Sequence, residues 1–192
     1  MPSPLTTAIA ELCSADTSAR NGAASEIYRA GREAAEHAAQ DWRKDPELST
    51  LLLGPNPSVT VGLAVQRETF ARIRAANGMP RLAEVPAEQD AEEFELHFEG
   101  GSSLDILTSR APGGTGAIAK YLAKFGEGVQ QVEFRCTNVD RATQILKEKF
   151  ATSAIYPETR VGADGTRVNF FLVPSSSGCK VLIELYELRG TR

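Results

Sequence analysis

Between Gly128 and Leu188 the apolar positions recur first at every second residue, then at helical spacing, then at every second residue again. In GVQQVEFRC, Val132, Phe134 and Cys136 fall on one side of the chain and Gln131, Glu133 and Arg135 on the other, which predicts a strand. In TNVDRATQILKEKF, Val139, Ala142, Leu146 and Phe150 share one helical face, with Asn138 or Thr137 placed to cap the first turn. Two further alternating runs follow. In RVNFFLV the residues Val168, Phe170 and Leu172 share a face, and in KVLIELYEL Val181, Ile183 and Leu185 oppose Glu184 and Tyr186. These runs supply three strands and the helix of a β-α-β-β-β unit, a sheet whose apolar face takes the helix and whose other face is polar.

The same order recurs upstream. Val59, Val61, Leu63 and Val65 alternate with Thr60, Gly62 and Ala64, and QRETFARIRAANG then predicts a helix with Phe70 and Ile73 inward and Gly78 past its end. MPRLAEVP supplies a short edge strand between two prolines, and FELHFEGGSSLDILTS a hairpin turning at Gly100 and Gly101. In its arms Phe94, Leu96 and Phe98 share a face, leaving Glu95, His97 and Asp105 opposite. Residues 58–108 and 129–188 therefore form an internal repeat, in which LDIL at 104–107 matches IELY at 183–186. Two such sheets can bring their polar faces together into a small-molecule cleft.

Residues 1–54 read as helical. Leu5, Ile9 and Leu12 sit at helical spacing, Ile27, Tyr28, Ala35, Ala38 and Trp42 make a second stripe, and Asp45-Pro46-Glu47 opens a short helix that Gly54 stops. The amphipathic stripe predicts a packing role, and His37 lies among solvated charges. The expected organisation is a helical extension over 1–54, a first β-α-β-β-β module over 55–108, a linker helix over 109–127 and a second module over 128–192.

Composition narrows the class. The chain is 192 residues long with a net charge of -4 and no basic block, so neither nucleic acid nor an anionic membrane is an expected partner. Cys13, Cys136 and Cys179 form no CxxC pair and cannot all pair internally, which points to a reducing, cytoplasmic setting. No apolar run approaches the roughly 20 residues of a membrane span. No basic-then-apolar leader opens the sequence, and acidic groups outnumber basic ones over residues 1–50, unlike a transit peptide.

From Ser103 to Glu187, above all in IAKYLAKFGEGVQQV, RVGADGTRVNF and KVLIELYE, the sequence resembles the methylmalonyl-CoA epimerases of the vicinal-oxygen-chelate superfamily, which also holds glyoxalase I and the bleomycin-resistance proteins. The likeness is weak over 58–102 and absent over 1–54. It implies an α+β fold of paired β-α-β-β-β modules, a homodimer and a small-molecule ligand. It also implies a divalent metal held by a His on the first strand of each module and a Glu or Gln on the last. Carried across, the carboxylate positions fall on Asp105 and Glu184, whereas the His positions fall on Thr60 and Gln131. His97 is the imidazole available as a substitute, being two residues from Glu95 on the same strand face.

A hydroxyl and an amide are poor replacements for two imidazoles, so the expected ion is at most a weakly held Mg, Mn or Co, or none. The family reaction is proton abstraction α to a thioester carbonyl, which needs a base and stabilisation of the enolate oxygen. The resemblance places the catalytic carboxylate near Glu95, the candidate base, and Glu184 is the candidate acid on the opposite face. Arg135, Arg167, Asn169 and Tyr186 are the candidates to contact substrate. Two functions follow as expectations: an isomerase- or lyase-like enzyme acting on an acyl-CoA-like compound, and a metal-free binding protein of the bleomycin-resistance type.

Overall fold

The computed structural model describes residues 3–54, 56–111, 113–175 and 180–188; Cys179 lies outside them. The chain divides into two compact units, Met1–Gly31 with Thr60–Gln130, and Arg32–Val59 with Gln131–Arg192. The helices of residues 1–54 thus contribute to both. No helix among the described residues is long and apolar enough to cross a membrane.

In the first unit, helix α1 (Pro4–Glu11) starts where the Ser3 hydroxyl accepts the Thr6 N–H and proline occupies the first turn, a position that needs no N–H. Helix α2 (Thr17–Trp42) buries Ala23, Ala24 and Ile27 here. Its Gly31 comes so near strand β1 (Val59–Ala64) that an added Cβ would sit 2.6 Å from a Val61 methyl. Helix α4 (Arg67–Ala76), which follows the short α3 (Pro46–Leu51) of the other unit, buries Phe70 and Ile73. Phe70 meets Phe94 of strand β2 (Ala91–His97) edge-on at 4.7 Å. Strand β3 (Ser103–Ser109) returns antiparallel to β2 and runs parallel to β1, giving the order β2-β3-β1. The hairpin turns at Gly100 and Gly101, whose φ values of 80° and 83° favour residues without a Cβ. Helix α5 (Ala117–Phe125) buries Ile118, Ala119 and Leu122.

The expected edge strand at MPRLAEVP does not form. Pro80 and Pro86 have no N–H to give, and the segment is tied to the sheet through Ala83, whose N–H donates to the Glu93 carbonyl at 2.9 Å. The first module therefore carries three strands.

The second unit keeps the full order: strand β4 (Gly128–Arg135), helix α6 (Val139–Phe150), then strands β5 (Arg160–Val161), β6 (Arg167–Pro174) and β7 (Lys180–Glu187). β4 pairs parallel with β7, and β7-β6-β5 continue antiparallel. The Asn138 side chain caps α6 by accepting the Arg141 N–H, and Glu187 of β7 accepts the Val139 N–H at 3.0 Å. Val139, Ala142, Ile145 and Leu146 are buried with Val132, Ile183 and Leu185. Trp42, at the end of α2, meets Phe134 and Phe171 edge-on at 6.2 and 6.4 Å. Two ion pairs join α3 to α6: Glu47 with Arg141, and Asp45 with Lys149.

One face assignment is reversed. Phe171 and Val173 pair in register with Ile183 and Val181, so the core side of β6 is Asn169, Phe171 and Val173. Phe170 and Leu172 lie on the other side with Glu184 and Tyr186, and Leu172 is 47% exposed. RVNFFLV has apolar residues at both parities, so alternation cannot choose; the pairing with β7 and the Trp42 contact do.

Candidate functional site

On the second unit's sheet, the face away from α6 carries Gln131, Glu133 and Arg135 from β4, in register with Leu182, Glu184 and Tyr186 from β7. Gln131 is buried, and its Nε2 donates to Glu184 Oε2 at 2.7 Å and to Glu133 Oε1 at 3.1 Å. Ionised carboxylates only accept, so the amide must present its nitrogen to them. One neutral side chain thereby holds two carboxylates on adjacent strands. Arg135 is exposed on the same face, in register with Tyr186. Here the structure brings together Gln131, Glu184, Arg135 and Tyr186.

Arg167 and Asn169 do not join them, because both belong to the core side of β6. Arg167 donates to both Asp140 carboxylate oxygens at 2.8 and 2.6 Å and to the Thr159 hydroxyl, which ties β6 to the first turn of α6. Asn169 is wholly buried; its Oδ1 accepts the Phe170 N–H, and its Nδ2 has no hydrogen-bond partner. Strand register thus separates Arg167 and Asn169 from the other two substrate-contact candidates, Arg135 and Tyr186.

In the first unit Glu95 and Asp105 are direct cross-strand partners, and so are His97 and Ser103. Asp105 is 8% exposed. The buried Thr60 hydroxyl donates to Glu95 Oε1 at 3.4 Å. His97 Nδ1 lies 3.0 Å from Ser103 Oγ, and its Nε2 lies 3.7 Å from Glu95 Oε2. The Glu95 side chain is 48% exposed and that of His97 71%. Thr60, Glu95, Asp105 and His97 therefore gather on one sheet face.

Neither set fits a tightly bound transition metal. Among the described residues, no three His, Cys, Asp or Glu side chains lie close enough together to hold an ion. In the second unit the group between the two carboxylates is an amide whose nitrogen faces both of them; that nitrogen does not ligate a cation, and the amide oxygen is a weak, hard donor ill suited to Zn, Co or Ni. Cys136 adds no nucleophile there: burial pushes its thiol up to about 12, so it stays protonated.

Two residues on these faces had no assigned role in the sequence. Glu133 shares the parity of Gln131 and Arg135, so alternation alone could have found it. Ser103 shares the parity of Asp105, but its partnership with His97 depends on the hairpin register.

No family model and no curated protein matches the chain at a significant level. Solved structures do. Methylmalonyl-CoA epimerase from Mycobacterium tuberculosis is 26% identical with a TM-score of 0.56, covering 68% of this chain and 87% of that one. A variant of Streptomyces coelicolor methylmalonyl-CoA epimerase in complex with 2-nitronate-propionyl-CoA is 27% identical with a TM-score of 0.54, covering 68% of this chain and 96% of the other. A methylmalonyl-CoA epimerase in complex with methylmalonyl-CoA and NH4+ is 28% identical with a TM-score of 0.55, covering 69% and 94%. The fold of this chain is the glyoxalase-like α+β architecture that it shares with these epimerases.

Proposed function

We propose that the chain binds a small molecule on a glyoxalase-like scaffold without a tightly held transition metal. The observation that carries this reading is the Gln131 amide donating to Glu133 and Glu184 at once. Where the epimerase resemblance calls for a metal ligand, this side chain spends its N–H groups on two carboxylates and satisfies them without an ion. Arg135, Tyr186 and the half-buried Phe170 on the same face offer a ligand a cation, a phenol and an aromatic surface. The test is calorimetric titration with acyl-CoA thioesters and small carbonyl compounds. Saturable binding that weakens about tenfold, or 1.4 kcal/mol, in Arg135→Ala supports the reading. Absence of any saturable ligand counts against it.

Proton transfer α to a carbonyl is the second reading, favoured by one feature: Glu95 is held by Thr60 yet leaves its carboxylate half exposed. A base so placed can take a proton from a bound thioester. Incubating acyl-CoA in D2O and following the α-proton by NMR separates the two readings. Exchange that Glu95→Gln abolishes marks an enzyme; binding without exchange marks a binding protein.

A further inference from the structure

The first unit holds a connected line of four side chains on three strands: Ser103 Oγ to His97 Nδ1 at 3.0 Å, His97 Nε2 to Glu95 Oε2 at 3.7 Å, and Glu95 Oε1 to Thr60 Oγ1 at 3.4 Å. We propose that Ser103, His97 and Glu95 form a nucleophilic relay through which Ser103 is acylated by small uncharged esters. The arrangement is fixed by backbone pairing. His97 and Glu95 are two apart on β2 and share a face, and Ser103 lies directly across from His97 in the hairpin. Glu95 is itself anchored by a hydroxyl buried to 4% exposure.

The roles follow from the donor and acceptor inventory. In the relay the Ser103 hydroxyl donates to Nδ1 and the neutral ring carries its proton on Nε2, the tautomer that turns an N–H toward the Glu95 carboxylate. Serine is a weak nucleophile until a base takes its proton, and imidazole oriented by a carboxylate is the recurrent solution, recognised by geometry and not by sequence order. The 3.7 Å contact is loose, as such contacts are before substrate binds. Ser103 Oγ attacks the ester carbonyl, its proton passes to His97, and the alcohol departs with that proton, leaving acyl-Ser103. Water then attacks the acyl group, gives its proton to His97, and the carboxylic acid leaves as Ser103 recovers its hydrogen. With His97 71% exposed, Glu95 beside it on the same face and Glu99 two residues on in the turn, the site suits small, uncharged substrates and disfavours anions. This relay is independent of the ligand proposed above.

The experiment uses an uncharged alkyl fluorophosphonate on the full chain, with peptide mass spectrometry to locate the adduct and 4-nitrophenyl acetate as competitor. The expected result is one adduct, on Ser103, formed about 10²-fold more slowly in His97→Gln and slowed in Glu95→Gln as well. Circular dichroism checks that each variant is folded, with His97→Asn as a second variant at that position. No adduct at Ser103 in the wild type, or equal rates in the wild type and a folded His97 variant, overturns the relay.

Discussion

At the scale of single residues, Gln131 does more than occupy a strand position. It supplies the N–H that two neighbouring carboxylates share, at 2.7 and 3.1 Å. Gln131→Leu keeps the volume but leaves Glu133 and Glu184 facing each other without that donor. Loss of one donor by a partly buried acceptor costs up to about 1–3 kcal/mol, and the like charges add to it. Urea unfolding is expected to show that loss, and Glu184→Gln in the Gln131→Leu background to recover part of it, because the new amide can donate to Glu133. The positions of Gln131, Glu133, Glu184 and Tyr186 were legible from a period of two. Arg167 was not: its partner Asp140 lies 27 residues away on α6, and nothing in RVNFFLV states that the helix returns over that edge.

At the scale of elements, α2 shows how the same residue type serves opposite ends. Gly22 is exposed, and a Cβ there would meet nothing within 4 Å. Gly22→Ala is therefore expected to stabilise the protein by about 0.5–1 kcal/mol through helix propensity alone. Gly31 faces Val61, with methyl carbons 2.6 and 2.7 Å from an added Cβ. Gly31→Ala is expected to destabilise by about 1–2 kcal/mol, the overpacking exceeding the gain in propensity. Thermal unfolding of the two variants side by side checks both signs. Sequence located both glycines in a helix but could not distinguish them, because the distinction is made by β1, thirty residues further on. The failure of MPRLAEVP as a strand was foreshadowed by its prolines, whereas the reversal of β6 was not.

The contact between α3 and α6 carries a pH signature. Hydrogen bonding to Lys149 holds the Asp45 carboxyl below the usual carboxylate range, and hydrogen bonding to Arg141 does the same for Glu47. A carboxylate whose pKa is lowered by folding takes up its proton more readily when unfolded. Its contribution is full above the ordinary carboxylate range and is lost as pH falls through the lowered folded value. The difference in Tm between the wild type and Glu47→Gln is therefore expected to be constant from pH 7 to about 5 and to shrink below about 4. A difference that grows on acidification contradicts these pairings.

At the scale of the whole molecule, repetition was the legible feature. Two β-strand and helix patterns in one order, together with the resemblance over 103–187, implied a glyoxalase-like α+β fold, and solved epimerases at 26–28% identity have that fold. Fold persists on patterning while site chemistry turns on a few side chains, so the fold cannot by itself carry the family's reaction across. The most direct measurement is metal content of protein purified without chelator or affinity metal, followed by calorimetric titration with Mg, Mn, Co, Ni and Zn, with Glu184→Ala as control. The structure of the Gln131 network predicts substoichiometric metal on purification and no saturable Co, Ni or Zn binding that depends on Glu184. One equivalent of bound transition metal, abolished by Glu184→Ala, would contradict it and return the metal-assisted epimerase reaction to first place.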